Sequence, residues 1–193
     1  MKLTPRIERS ILRVCSLHGN QKRKVDGAPY FTHPCAVVFI LLNYTEDEDI
    51  IDAGAWHDIL EDVKGYSEKE MRKECGERTI RIVMEVTEEK YPQEDKKATW
   101  KKRKNAYLKH LEEASYEAMM VCAADKIHNL ISIQREYKQY GEVMWEKFNA
   151  PKELRMWYYE SVLAILKRRL KNDIVRELEM VFLETKKTIT KAQ

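Results

Sequence analysis

Glycine and proline are scarce in this chain, six and five in 193 residues, and they fall between segments whose apolar residues recur at helical spacing. A chain so poor in turn formers cannot make the repeated reversals of a β-sandwich or barrel, so an all-α helical bundle is predicted. The periodic segments place helices over 7–17, 35–42, 49–62, 78–88, 99–113, 115–140, from just after Pro151 to 170, and 173–186. Ser67 with Glu70 reads as a capping box opening a short helix that Gly76 closes. Pro34 suits the first turn of its helix, where a missing N–H costs nothing. The polar stretches 19–32 and 90–97 read as loops. Neither a repeat nor a linker divides residues 1–193. They are expected to form one domain, with a motif-bearing core over 7–140 and extra C-terminal helices over 151–186.

Composition excludes several functions. A net charge of +3 is small beside 35 basic and 32 acidic side chains, so the chain lacks the electrostatic mark of a nucleic-acid binder. The basic run Trp100 to Lys104 reads as a solvated helix face before it reads as a polyphosphate attractor. Cys15, Cys35, Cys75 and Cys122 are too far apart for a Cys-x-x-Cys unit, which argues against zinc ribbons and redox motifs and for buried free thiols. The charged N-terminus has no apolar signal region and no stretch approaches a membrane span, so a cytoplasmic protein is predicted.

The chemistry concentrates in His33, the adjacent pair His57 and Asp58, and Asp125. Two imidazoles and two carboxylates make a mixed N/O ligand set for a metal of Mn, Fe or Zn type. A second acidic pair, Glu61 and Asp62, follows one helical turn after the first. On a helix, His57 shares a face with Glu61 and Asp58 with Asp62, so carboxylates would flank any ion held there. Asp125 lies in the apolar run Val121 to Ala124, where an unpaired carboxylate is costly. A metal is one partner for it; Lys126 or a distant arginine is the other.

The stretches Pro29-Tyr30-Phe31-Thr32-His33-Pro34, Trp56-His57-Asp58-Ile59-Leu60-Glu61-Asp62, Cys75-Gly76-Glu77 leading to Val83-Met84-Glu85-Val86-Thr87, and Ala124-Asp125-Lys126-Ile127-His128-Asn129-Leu130 stand in an order that resembles the HD superfamily of metal-dependent phosphohydrolases. The chain is most similar to the RelA/SpoT-type guanosine polyphosphate (ppGpp) hydrolase domain and its small stand-alone relatives, over roughly residues 10–135. The resemblance implies that His33, His57, Asp58 and Asp125 bind a divalent metal, Mn2+ being typical of this branch, with Fe, Zn, Co, Ni or Mg as alternatives. It implies that Glu61 and Asp62 orient or deprotonate the attacking water. It implies a small-molecule nucleotide substrate contacted by Arg23, Lys24, Lys126, Asn129 and Ser132. The loop from Lys24 to Pro29 reads as one residue longer than in the common bacterial form, which leaves open whether Arg23 or Lys24 faces the base. Beyond Ile133 the likeness fades, and the aromatic residues Trp145, Phe148, Trp157, Tyr158 and Tyr159 read as helix-packing residues.

Three readings remain at this level. One is a pyrophosphohydrolase removing a 3′-pyrophosphate from a guanosine polyphosphate. The second is a phosphatase or nucleotidase for simpler (deoxy)nucleotides, favoured by the altered loop. The third is a metal or nucleotide sensor without catalysis, against which the intact acidic pair argues. Oligomeric state is not encoded in any feature of the sequence.

Overall fold

The computed structural model describes residues 3–88, 95 and 97–190. Among them there is no strand: ten α-helices and one 3-10 helix make up the regular structure. They are α1 (Pro5–His18), α2 (Thr32–Leu41), α3 (Glu48–Trp56), α4 (Ile59–Asp62), α5 (Glu68–Cys75), α6 (Glu77–Val86), α7 (Trp100–Leu111), α8 (Tyr116–Tyr140), α9 (Lys152–Arg169) and α10 (Ile174–Thr190), with the 3-10 helix at Gly141–Lys147. The all-α expectation holds. The predicted loop 90–97 lies almost wholly outside the described residues.

α8 is the axis of the bundle. Ser115 caps it, its hydroxyl accepting from the Ala118 amide, and Gly141 ends it at φ 62°, a left-handed backbone that favours glycine. Every residue from Ala118 to Asp125 on it is buried. That explains the unbroken apolar run: α2, α3, α6, α9 and α10 all pack against it, so it has little polar face near its start. The capping box of α5 is present, with Ser67 and Glu70 satisfying each other's amides.

α2 and α3 approach closely at Gly54, where a Cβ would stand 2.4 Å from Leu41 Cδ1 and 3.3 Å from Val37 Cγ1. Arg6 of α1 pins the far side, donating to Asp49, Asp52, Thr79 Oγ1 and the Cys75 carbonyl, and so ties α1, α3, α5 and α6 together. The four cysteines are free, Cys75 and Cys122 buried and the other two partly so.

Two expectations need correcting. The single helix predicted over 49–62 is broken at His57 and Asp58 into α3 and α4. His57 Nδ1 donates to the Gly54 carbonyl at 2.9 Å, the acceptor a continuous helix would offer to the Asp58 amide. The imidazole thus replaces a backbone bond, and the chain turns at the ligand pair. The stretch 19–32 is also more than a polar loop. Lys22 and Pro29 form an antiparallel bridge, Arg23 N–H donates to the Ala28 carbonyl at 2.8 Å, and Gly27 takes φ 69° at the reversal. This small hairpin fixes Arg23 and Lys24 instead of leaving them on a free strand of chain.

Candidate metal centre and nucleotide cleft

Three segments converge on one point. α2 begins at Thr32, so His33 sits inside its first turn and not at the end of the loop. The α3–α4 break presents His57 and Asp58, and α8 presents Asp125. The donor atoms of His33, His57 and Asp58 all lie within 4.8 Å of one another. His33 Nε2 is 3.2 Å from His57 Nε2, 3.4 Å from Asp58 Oδ2 and 3.1 Å from Asp125 Oδ1. His57 Nε2 is 3.2 Å from Asp58 Oδ2 and 3.8 Å from Asp125 Oδ1. Ligand bonds of about 2.1 Å separate neighbouring donors by roughly 3.0–3.4 Å at right or tetrahedral angles. The spacing of His33, His57 and Asp58 therefore fits a single divalent ion, while Asp125 lies beside both imidazoles but outside that group of three.

The electrostatics agree. Burial pulls the His57 imidazolium down, but the Asp58 and Asp125 carboxylates outweigh it and push the group up to about 9. Burial alone would raise Asp58 and Asp125; His57 and His33 hold Asp58 well below the carboxylate range, and Lys126 does the same for Asp125.

Neighbours aim the ligands. His33 Nδ1 is 2.6 Å from His128 Nδ1, and His128 is held down to about 3 by burial and the His33 charge, so its neutral ring can accept the His33 Nδ1–H. The Tyr30 hydroxyl donates to Asp58 Oδ2 at 2.7 Å. Lys126 Nζ pairs with Asp125 Oδ2 and Asn129 Nδ2 donates to Asp125 Oδ1. Of the partners weighed for Asp125, Lys126 is present on one oxygen, and the other oxygen faces the His33 and His57 imidazoles.

The acidic pair stands on α4 beside this cluster. Burial first, and the Asp58 charge second, push the Glu61 carboxyl up to about 7. Its Oε1 accepts from the Glu88 amide at 2.7 Å, which fixes its orientation. Asp62 is raised for the same two reasons, with Tyr30 and Lys24 opposing. A carboxylate near 7 beside a cation site is matched to moving protons at neutral pH.

The cluster opens into a cavity of about 330 Å³ that His33, His57, Asp58, Glu61, Asp62 and Asp125 line together. Two smaller cavities adjoin it through shared walls. One, of about 220 Å³, is ringed by Lys24, Arg103, Lys104, Lys126 and Arg155. The other, of about 180 Å³, is lined by Arg23, Tyr30, Ser132, Glu136, Phe148 and Arg155 among others. Lys24 and Asn129 line all three, whereas Arg23 lines only the last, 5.9 Å from the Tyr30 ring centre. All of the residues singled out in the sequence therefore face one cleft.

Sequence reasoning missed several of its walls. Tyr30 and His128 stood inside quoted motifs, and His128 lies three residues from Asp125 on the same helix face, a spacing that carried the signal. Arg103 and Lys104 read as solvated, yet both pair with Glu88 and turn inward. Tyr158 is a packing residue as expected, but its ring also stands 4.7 Å from Lys104 Nζ and 5.4 Å from Lys126 Nζ. Only the folded chain shows these.

Comparison with known proteins agrees with this geometry. The family model described as HD domain matches residues 12–151. The guanosine-3′,5′-bis(diphosphate) 3′-pyrophosphohydrolase MESH1 of Danio rerio is 34% identical over 121 residues, 61% of this chain and 63% of that protein. A GTP pyrophosphokinase of Streptomyces coelicolor is 29% identical over 195 residues, 89% of this chain but 22% of that protein. The chain thus spans less than two thirds of the length of either curated relative. A solved structure described as a metazoan ortholog of SpoT that hydrolyzes ppGpp superposes with a TM-score of 0.74 at 23% identity, covering 95% of this chain and 97% of that one.

Proposed function

The chain belongs to the HD domain family, and from that premise we propose that it is a metal-dependent pyrophosphohydrolase of guanosine 3′-pyrophosphates such as ppGpp. The observation that supports the reading is the adjacency of three cavities that share the walls Lys24 and Asn129: one with the His/Asp cluster and acidic pair, one with the cationic ring, and one a walled side cavity. A nucleotide bearing phosphates needs all four at once.

His33, His57, Asp58 and Asp125 would hold the ion, with Mn2+ the proposed metal. A bound divalent cation supplies Lewis acidity and makes water a competent nucleophile near neutral pH. The chain's own groups do the rest. Glu61, with its proton equilibrium near 7, takes and returns a proton at its carboxylate while the Glu88 amide keeps it aimed. Asp62 orients water beside it. Lys24, Arg103, Lys104, Lys126 and Arg155 neutralise phosphate oxygens, including those of the departing pyrophosphate. Glu88 binds Arg103 and Lys104 through its carboxylate and Glu61 through its amide, so acid–base group and phosphate clamp share one support.

The test is product analysis with Mn2+ present. A guanosine 3′-pyrophosphate should release pyrophosphate while simple 5′-nucleotides stay largely intact. Orthophosphate from deoxynucleotides, with no pyrophosphate from the guanosine substrate, would refute this reading in favour of the nucleotidase one.

A further inference from the structure

The side cavity holds a carboxylate for which the reaction has no use. Glu136 lies on α8 with its side chain 4% exposed, yet it lines the 180 Å³ cavity. Its ion-pair approach among the described residues, from Arg135 at 3.8 Å, exceeds hydrogen-bond length. Arg135 is engaged elsewhere, donating to Asp26 at 2.5 Å. Burying a carboxylate without donors is costly, so the position is explained best by a ligand that brings them.

A second atom points the same way. Ser132 Oγ is buried without a hydrogen-bond partner and lines the same cavity, one helical turn before Glu136. Asp125, Asn129, Ser132 and Glu136 follow one another at spacings of four, three and four. They form a stripe of about 16 Å at 1.5 Å per residue, with Asp125 at one end and Glu136 at the other. The cavity walls between are flat: the Arg23 guanidinium lies near the Tyr30 ring, and the Arg155 guanidinium stacks 3.9 Å from the Phe148 ring centre. Planar cations and rings are the surfaces on which a base stacks.

We infer that Glu136 is the specificity-determining residue for the base, its carboxylate accepting from N1–H and the 2-amino group of guanine while the Ser132 hydroxyl donates to O6. The inference rests on the nucleotide reading above and deepens it. An ionised carboxylate only accepts, so it complements an edge with two adjacent donors. Adenine presents an acceptor, N1, where guanine presents a donor, and the carboxylate would face a lone pair. Selection is then attractive for one base and repulsive for the other. Burial raises the Glu136 carboxyl above the usual carboxylate range and Asp26 adds to this, while Arg23, Arg135 and Arg155 pull it back towards the charged form that a base with two donors would complete.

The test is calorimetric binding of GDP, IDP and ADP to the Mn2+-loaded protein, all three lacking the 3′-pyrophosphate. The wild type should bind GDP about ten to a hundred times more tightly than ADP, with IDP, which lacks the 2-amino group, in between. Glu136→Gln should weaken GDP by that factor and leave ADP unchanged. Equal weakening of both would reveal a merely structural role and overturn the inference, as would a preference that survives the substitution or a wild type that binds none of the three. Should the variant fail to fold, the wild-type comparison decides: IDP binding as tightly as GDP overturns it. Pyrophosphate release is scored separately. Guanine preference without hydrolysis keeps Glu136 and removes the hydrolase reading, whereas hydrolysis without base preference does the reverse.

Discussion

Replacing Glu61 by Gln should separate the acid–base role of this carboxyl from its cost to the fold. The substitution keeps the shape and leaves an oxygen to accept from the Glu88 amide, but removes the titration. Burial and the Asp58 charge lift the carboxyl from 4.5 to about 7, which corresponds to about 3 kcal/mol in favour of the neutral form. Glu61 is partly exposed, so solvent screening reduces the usable figure to roughly 1–2 kcal/mol. A carboxyl raised in the folded state holds its proton longer there than in the unfolded chain. Stability therefore falls as pH rises from about 4.5 to about 7 and is lowest above that window. In chelator-treated protein, urea unfolding should find E61Q more stable than wild type by about 1–2 kcal/mol at pH 8 and equal to it at pH 4. Activity should move the opposite way. With Mn2+, turnover of the wild type should rise through an acid limb, and E61Q should lose a hundredfold or more together with that limb. The argument fails if the stability gained by E61Q over wild type is no larger at pH 8 than at pH 4, or if turnover and its pH profile are unchanged.

Asp125→Asn should strip the imidazoles and Lys126 of their shared carboxylate, and metal content measured by elemental analysis should fall far below one per chain at stoichiometric supply. Tyr30→Phe removes the donor to Asp58 Oδ2 without altering the ring; metal affinity or turnover, measured by titration and rate, should drop about tenfold to a hundredfold. Gly54→Ala sets a methyl 2.4 Å from Leu41 Cδ1 in a fully buried contact, so urea unfolding should report a loss of about 1–3 kcal/mol with metal bound to the folded fraction.

The helices were most legible where an apolar stripe matches a buried face and a glycine stops the helix, as at α1, α5 and α8. Gly76 and Gly141 end α5 and α8 at φ 89° and 62°. The break at His57 was not legible, because periodicity continues across it; what interrupts the helix is an imidazole taking the Gly54 carbonyl, a competition between side chain and backbone that no spacing records. The convergence of Asp125 with the two histidines was legible for a related reason: Asp125 is an anomaly beside an apolar run, and an anomaly needs a partner. Its second partner, Lys126, is its own neighbour in sequence, and the fold lets one carboxylate serve both.

The walls of the cleft were hidden because they come from segments that look ordinary alone. Arg103 and Lys104 belong to a run of charge that resembles any solvated face, and Glu88, just beyond α6, pairs with both in the folded chain. Glu136 was hidden more deeply. It follows Arg135 and precedes Tyr137 on a helix that has by then become amphipathic, where a charged residue needs no explanation. It becomes conspicuous only when 4% exposure is set beside a cavity and an unpartnered serine on the preceding turn. α8 therefore carries Asp125, Asn129, Ser132 and Glu136 on a single face, with each position fixed relative to the next by helical geometry alone. A binding residue moved by one position along it would rotate by about 100° out of the cleft. This is why the register of Asp125, Asn129, Ser132 and Glu136, and not their chemistry singly, determines what the cleft can hold.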